Sequence, residues 1–275
     1  MSMHKKNNYN ISGISLLAAF IIFIGTVIFV QITTVYISLG WVVILCGIYG
    51  FRPLFRGIRD LTLLSILYTL GYWITLSLDF YITEYLTYLE LPREIIISCS
   101  RLSLIGYIVP FLLFKKINKT TTDYMTKGSF KESIHLPLIW YGIKNPIWRF
   151  LLVAVLIIIL SFSFIIDFHQ KGFYSLLWYG ILFALINSVL EEILWRGLIL
   201  SRFVDVLGEK WGLLIVSIGF GMYHYSIGFP WSICALFSIF GMQLGGLTIR
   251  AKGLLPVIIL HFIMNILFVL SGLIF

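Results

Sequence analysis

Six side chains in the second half of this sequence have the types and spacing for proton chemistry. Glu191 and Glu192 are adjacent in SVLEEILWRG, with Arg196 four residues beyond the second glutamate. His224 closes FGMYH, and His261 and Asn265 stand four apart in HFIMN. Residues four apart share one face of a helix. Glu192 and Arg196 therefore read as an internal ion pair, and His261 and Asn265 project together. Glu191 lies about 100° around the helix from Glu192 and cannot share that pairing so easily. A carboxylate without a dedicated cation suits a general base. Asn187 precedes Glu191 by four and joins its face.

These groups must be positioned by a very apolar chain. Of 275 residues, 60% are hydrophobic and 12% charged, where a soluble domain would hold roughly a quarter charged residues. Apolar runs fall near 11–30, 35–51, 61–82, 95–114, 150–166, 173–206, 211–227, 231–249 and 254–275. Such runs approach the ~20 residues that cross ~30 Å of hydrocarbon as helix. The expected fold is an all-α polytopic membrane protein with eight or nine transmembrane helices. The first run follows His4, Lys5 and Lys6 but has the length to span and no small-residue cleavage site, so it reads as a retained helix. Cys46, Cys99 and Cys234 lie in apolar runs without metal-ligand spacing and read as packing thiols.

Basic residues gather in alternate connections. Lys5 and Lys6, then Arg52, Arg56 and Arg59, the 115–149 stretch, Arg202 with Lys210, and Arg250 with Lys252 mark one side. The other side holds only Arg93 and Lys171, beside Glu84, Glu90, Glu94 and Asp167. The positive-inside rule then predicts a multi-pass cell-membrane protein with its N-terminus in the cytoplasm and its C-terminus outside. The net charge of +8 follows from topology and attraction to anionic lipid headgroups. No aromatic-interleaved basic surface accompanies it, so a nucleic-acid partner is not expected.

Three parts result: a four-span region over 1–114, a basic cytoplasmic linker over 115–149, and residues 150–275, which carry the candidate site. Within the first part Asp79 and Arg101 read as a structural pair or as headgroup-seeking side chains. Gly241 and Gly245 form a GxxxG suited to close helix packing. Ionisable groups at the bilayer centre cost ~2.5–3.5 kcal/mol each and face a protein interior or cavity. Counting along the spans puts Glu191, His224, His261 and Asn265 near mid-membrane or slightly towards the cytoplasm. A lone histidine or asparagine in a span is ordinarily an interhelical hydrogen bond. The combination on three helices points to function.

The three segments EEILWR (Glu191–Arg196), FGMYH (Phe220–His224) and HFIMN (His261–Asn265) resemble the EExxxR, FxxxH and HxxxN motifs of the CAAX protease and bacteriocin-processing family, also called Abi, of intramembrane endopeptidases. The resemblance covers roughly 175–270. It implies a C-terminal helical bundle of that family's type, with a cavity open to the membrane or cytoplasmic side. It also implies that Glu191 and His224 hold and activate the attacking water, while His261 and Asn265 donate hydrogen bonds to the oxyanion. Glu192, Arg196 and Phe220 would support the site. The implied partners are membrane lipid and a membrane-associated peptide or protein substrate, such as a bacteriocin or signalling-peptide precursor.

Glu191, His224 and His261 could give a zinc ion three ligands and an open position. The HExxH signature is absent, so a glutamate-type mechanism without a cofactor is expected. Two non-proteolytic readings compete. The chain could be a bacteriocin-immunity or scaffold protein of the same fold. It could also be a transporter with a proton relay, although no inverted repeat supports that.

Overall fold

The computed structural model describes residues 13–51, 56–117 and 122–275. Lys5, Lys6, Arg52 and Lys119, which contribute to the expected orientation, lie outside the described residues. Among the described residues ten α-helices follow in order: α1 (Gly13–Ile32), α2 (Val35–Gly50), α3 (Arg56–Tyr88), α4 (Arg93–Ser100), α5 (Ile105–Ile117), α6 (Ile147–Ser163), α7 (Phe173–Glu192), α8 (Ser201–Tyr223), α9 (Trp231–Ala251) and α10 (Leu255–Leu270). A 3-10 turn over Arg101–Leu104 joins α4 to α5, and a π-helical stretch over Ile193–Leu200 joins α7 to α8.

Among the described residues, each of the nine apolar runs is largely helix. Among the described residues, five helical stretches are long and apolar enough to cross a membrane, and three shorter apolar helices accompany them. Large apolar side chains point outward all around, including Val43 (70% exposed), Leu160 (62%) and Ile239 (61%). That surface needs lipid rather than water against it. The chain is a multi-pass, helical membrane protein.

The longest stretch, Phe173–Ile227, doubles back on itself. Gly208 has φ 77° and ψ 168°, a backbone conformation that glycine adopts without a Cβ clash. A Cβ added to Gly212 would meet the backbone of Phe203 and Val204. Farther along, Trp195 packs edge-on against Phe220 and beside Tyr223. The two arms are therefore antiparallel, with Gly208 at one end and the Glu191–His224 level at the other. Helix α9 lies close along α8, because Gly221 and Gly241 remove the side chains between them. This is the close packing expected of the small residues.

Two findings differ from the sequence reading. The 115–149 stretch contains an antiparallel hairpin, β1 (Ser133–Leu138) with β2 (Tyr141–Pro146). Residues 126–129 bond to the α9–α10 turn: Leu254 N–H donates to Thr126 O and Ser129 N–H to Ala251 O. Ile139 at the hairpin tip lies against Gly246, and Trp140 donates to Glu209. Backbone pairing and an apolar tip tie this stretch onto the bundle, so it is more than a linker. Cys46 is exposed, Cys99 partly so and Cys234 buried, so only Cys234 is a fully buried packing thiol. The N-terminal helices also share one core with the C-terminal ones, in which Phe23, Tyr68 and Tyr107 join Trp195, Phe203 and Phe220.

Candidate active site

The end of α7 and the π-helical stretch after it form the most enclosed part of the bundle. Asn187, Ser188, Glu191, Glu192 and all of Leu194–Leu200 are buried. A helix enclosed on every side must find protein partners for each polar group it carries. Eight residues of π-helix follow directly on the glutamates. Such wide turns concentrate at functional sites.

Glu192 is the hub of a buried ion-pair network. Its Oε1 accepts from Arg196 Nη1 at 2.9 Å and from His261 Nδ1 at 2.6 Å. Phe220 supports the Arg196 guanidinium, whose Cζ sits 4.0 Å from the ring centroid. The Glu192–Arg196 pairing is thus as the spacing predicts. The bond to Glu192 also fixes His261: Nδ1 donates to the carboxylate, leaving Nε2 to accept from water when neutral and to donate when doubly protonated.

Glu191 points elsewhere, and here the sequence reading needs correction. It does have a cation. Arg101, from the turn between α4 and α5, places Nη2 3.2 Å from Glu191 Oε1. The same guanidinium donates from Nε to Asn187 Oδ1 at 2.8 Å and from Nη2 to Tyr223 OH at 3.4 Å. These bonds, rather than Asp79 or the headgroups, occupy Arg101. Two carboxylates and two guanidiniums balance in charge, which is what permits their burial. Arg101, Asn187 and Tyr223 had not stood out as site residues. Only the i, i+4 spacing of Asn187 from Glu191 hinted at one of them.

The other oxygen, Glu191 Oε2, is buried with no hydrogen-bond partner, as is Asn265 Nδ2. His261 Nε2 stands 3.7 Å from Glu191 Oε2, beyond a direct hydrogen bond but within reach of one shared water. His224 donates from Nδ1 to Phe220 O at 2.8 Å, which leaves Nε2 as the acceptor of a neutral ring. Its ring stacks on Phe237 at 4.2 Å between centroids.

Glu191, His224, His261 and Asn265 line one cavity of about 160 Å³, together with Arg101 and Asn187. That volume holds several waters. Much of the remaining wall is phenylalanine, including Phe229, Phe237, Phe240 and Phe268. All four anticipated catalytic residues therefore meet, while Glu192, Arg196 and Phe220 form the layer that orients them. Along the helices the site lies where counting places it: Glu191 stands about midway between Phe173 and Gly208, and His261 and Asn265 lie in the interior of α10. His224 begins the terminal 3-10 turn, His224–Ile227, and Ile227, Phe229, Leu273 and Ile274 border the cavity. The cavity thus reaches from mid-bundle towards the 224–230 loop and the C-terminus.

Among the described residues, no three His, Cys, Asp or Glu side chains are grouped so as to hold one metal ion. The bond from His261 Nδ1 to Glu192 leaves its Nε2 free towards the cavity, as histidines that ligate metals also do; no step is derived through a metal.

Residues 173–267 match the family model described as type II CAAX prenyl endopeptidase Rce1-like. No curated protein and no solved structure matches the chain significantly. The matched segment contains Glu191, Glu192, Arg196, Phe220, His224, His261 and Asn265, and stops short of Arg101. Over its site-bearing helices, this chain is similar to the type II CAAX prenyl endopeptidases of the Rce1-like family.

Proposed function

We propose that the protein is an intramembrane endopeptidase of glutamate type, hydrolysing a peptide bond in a membrane-associated peptide or protein of the bacteriocin or signalling-peptide precursor kind. The carrying observation is the unpartnered Glu191 Oε2, buried in a cavity that also presents His224, His261 and Asn265. Buried polar atoms without partners are rare, and a water between Glu191 Oε2 and a histidine Nε2 would complete the site.

Glu191 Oε2 takes a proton from that water as its oxygen attacks the scissile carbonyl carbon, and His224 Nε2 holds the water in line. The carbonyl oxygen becomes an oxyanion. Asn265 Nδ2 donates to it, and His261 Nε2 would donate as well if it carried a proton beside the one that Nδ1 gives to Glu192, a contribution worth ~2.7–4 kcal/mol per donor in comparable sites. The C–N bond then breaks, and the departing nitrogen takes the proton held by Glu191. The products are a new carboxylate and a new amine. Arg101 fixes the Glu191 carboxylate by its other oxygen, and Glu192 with Arg196 fixes His261. Every step uses side chains of this chain, without a metal.

Peptide mass spectrometry of native-host cells tests the proposal, comparing wild type with Glu191→Gln at matched membrane levels. A peptide present only with wild type supports the endopeptidase and gives substrate and bond together. Identical peptidomes with a retained immunity phenotype would favour the scaffold reading instead.

A further inference from the structure

The two ends of the helical bundle differ in charge, and the cavity belongs to one of them. At the Gly208 end, Arg202 pairs with Asp60 and Lys115 with Asp123. Lys252 pairs with Glu132, Arg250 donates to Ser133 O, and Lys210 donates to Tyr141 OH. These bonds gather the basic connections and the β-hairpin into one surface rich in lysine and arginine. Among the described residues the opposite end carries Glu84, Glu90, Glu94 and Asp167, with Arg93 and Lys171 exposed and Arg101 turned inward to Glu191. Glu94 and Asp167 lie there beside Ser271 and Phe275, around one shallow pocket.

The cavity lies towards this second end: Ile227, Phe229, Leu273 and Ile274 border it, and none of the basic-end residues named above does. Roughly 24 Å of helix, at ~1.5 Å per residue, separates His224 from Gly208. Lysine and arginine stay on the cytoplasmic side of a membrane protein, whereas acidic residues contribute little to orientation. The basic end is therefore cytoplasmic, and the cavity mouth faces away from it.

We infer that the site is reached from the extracytoplasmic face, so that its substrate is a peptide segment presented at the outer leaflet, after or during export. This rests on the endopeptidase reading for the word substrate, but the direction of opening stands on charge and geometry alone. It differs from the membrane or cytoplasmic access that the family resemblance implies. A bond still on the cytoplasmic side would have to pass roughly 25 Å of packed helix to reach Glu191.

Thiol labelling tests the direction without requiring catalysis. In full-length protein with Cys46, Cys99 and Cys234 replaced by alanine, Ile227→Cys reports the cavity mouth and Lys210→Cys the basic end. Leu273→Cys is a second mouth reporter should Ile227→Cys fail to assemble. Sealed right-side-out vesicles are treated with a membrane-impermeant maleimide before and after permeabilisation. The inference requires the mouth reporters to react before permeabilisation and Lys210→Cys only after it. Mouth reporters that react only after permeabilisation would overturn it, as would Lys210→Cys reacting in sealed vesicles. Failure of proteolysis with correct labelling would sink the endopeptidase reading and leave the orientation standing.

Discussion

Arg101 lies outside the matched family segment, yet it supplies the cation for Glu191, so the pair gives a demanding check on the site geometry. Arg101→Met removes the guanidinium and leaves the Glu191 carboxylate, 1% exposed, buried without a counter-charge. Asn187 Oδ1 and Tyr223 OH lose a donor as well. Breaking a buried pair from one side costs ~3–5 kcal/mol. In a Glu191→Gln background the carboxylate is already neutral. The same Arg101→Met change then removes only the neutral-acceptor bonds, about 1–2 kcal/mol. A double-mutant cycle should therefore return a coupling of ~2–3 kcal/mol, at the upper end for contacting residues. Unfolding in detergent–SDS mixed micelles measures the four proteins under one condition. If the single-mutant losses add to the double-mutant loss within ~0.5 kcal/mol, Arg101 does not pair with Glu191 and its assignment to the site is wrong.

Three other substitutions follow from the same contacts. Asn265→Ala deletes an amide nitrogen that has no hydrogen-bond partner, so stability should change little while the cleavage rate falls by ~10²–10³; equal losses in both would mean a structural amide. Glu192→Gln strips the charge from a carboxylate that holds both Arg196 and His261, and should destabilise the fold by ~3–5 kcal/mol, read by the same unfolding assay. Gly221→Ala would drive a Cβ into the Cys234 carbonyl and the Ser238 backbone, forcing α8 from α9 at a cost of ~1–3 kcal/mol. Gly40→Ala meets nothing within 4 Å and should be neutral or stabilising by up to ~1 kcal/mol, which makes it the matched control.

What could be read from the sequence was what helical spacing encodes. Glu192 with Arg196, and His261 with Asn265, follow from a period of 3.6 residues, and each apolar run became a helix because ~20 apolar residues have few alternatives in lipid. Contacts between helices carry no such local signature. Arg101 meets Glu191 across 90 positions, and its nearer intramembrane acid, Asp79, offered a more obvious partner. The bond from His261 to Glu192 spans 69 positions and was equally hidden, although it decides which nitrogen of that histidine faces the cavity. The β-hairpin escaped notice because Pro137 and Pro146 interrupt the alternation, and its two-residue turn, Ile139–Trp140, lacks the Asn-Gly signal that usually announces one. The extent of the cavity was hidden for a different reason. It depends on where α8 ends, and the 3-10 turn at His224–Ile227 brings that end within a turn of His224.

The most direct test of hydrolysis at Glu191 is oxygen incorporation. Membranes containing wild type or Glu191→Gln are incubated with the processed peptide's precursor in water enriched in oxygen-18. Wild type should release a fragment whose new carboxylate carries one heavy oxygen, and Glu191→Gln should release none. Equal release of the same fragment by both proteins would show that the bond is cut without Glu191, and would contradict the assignment of the base.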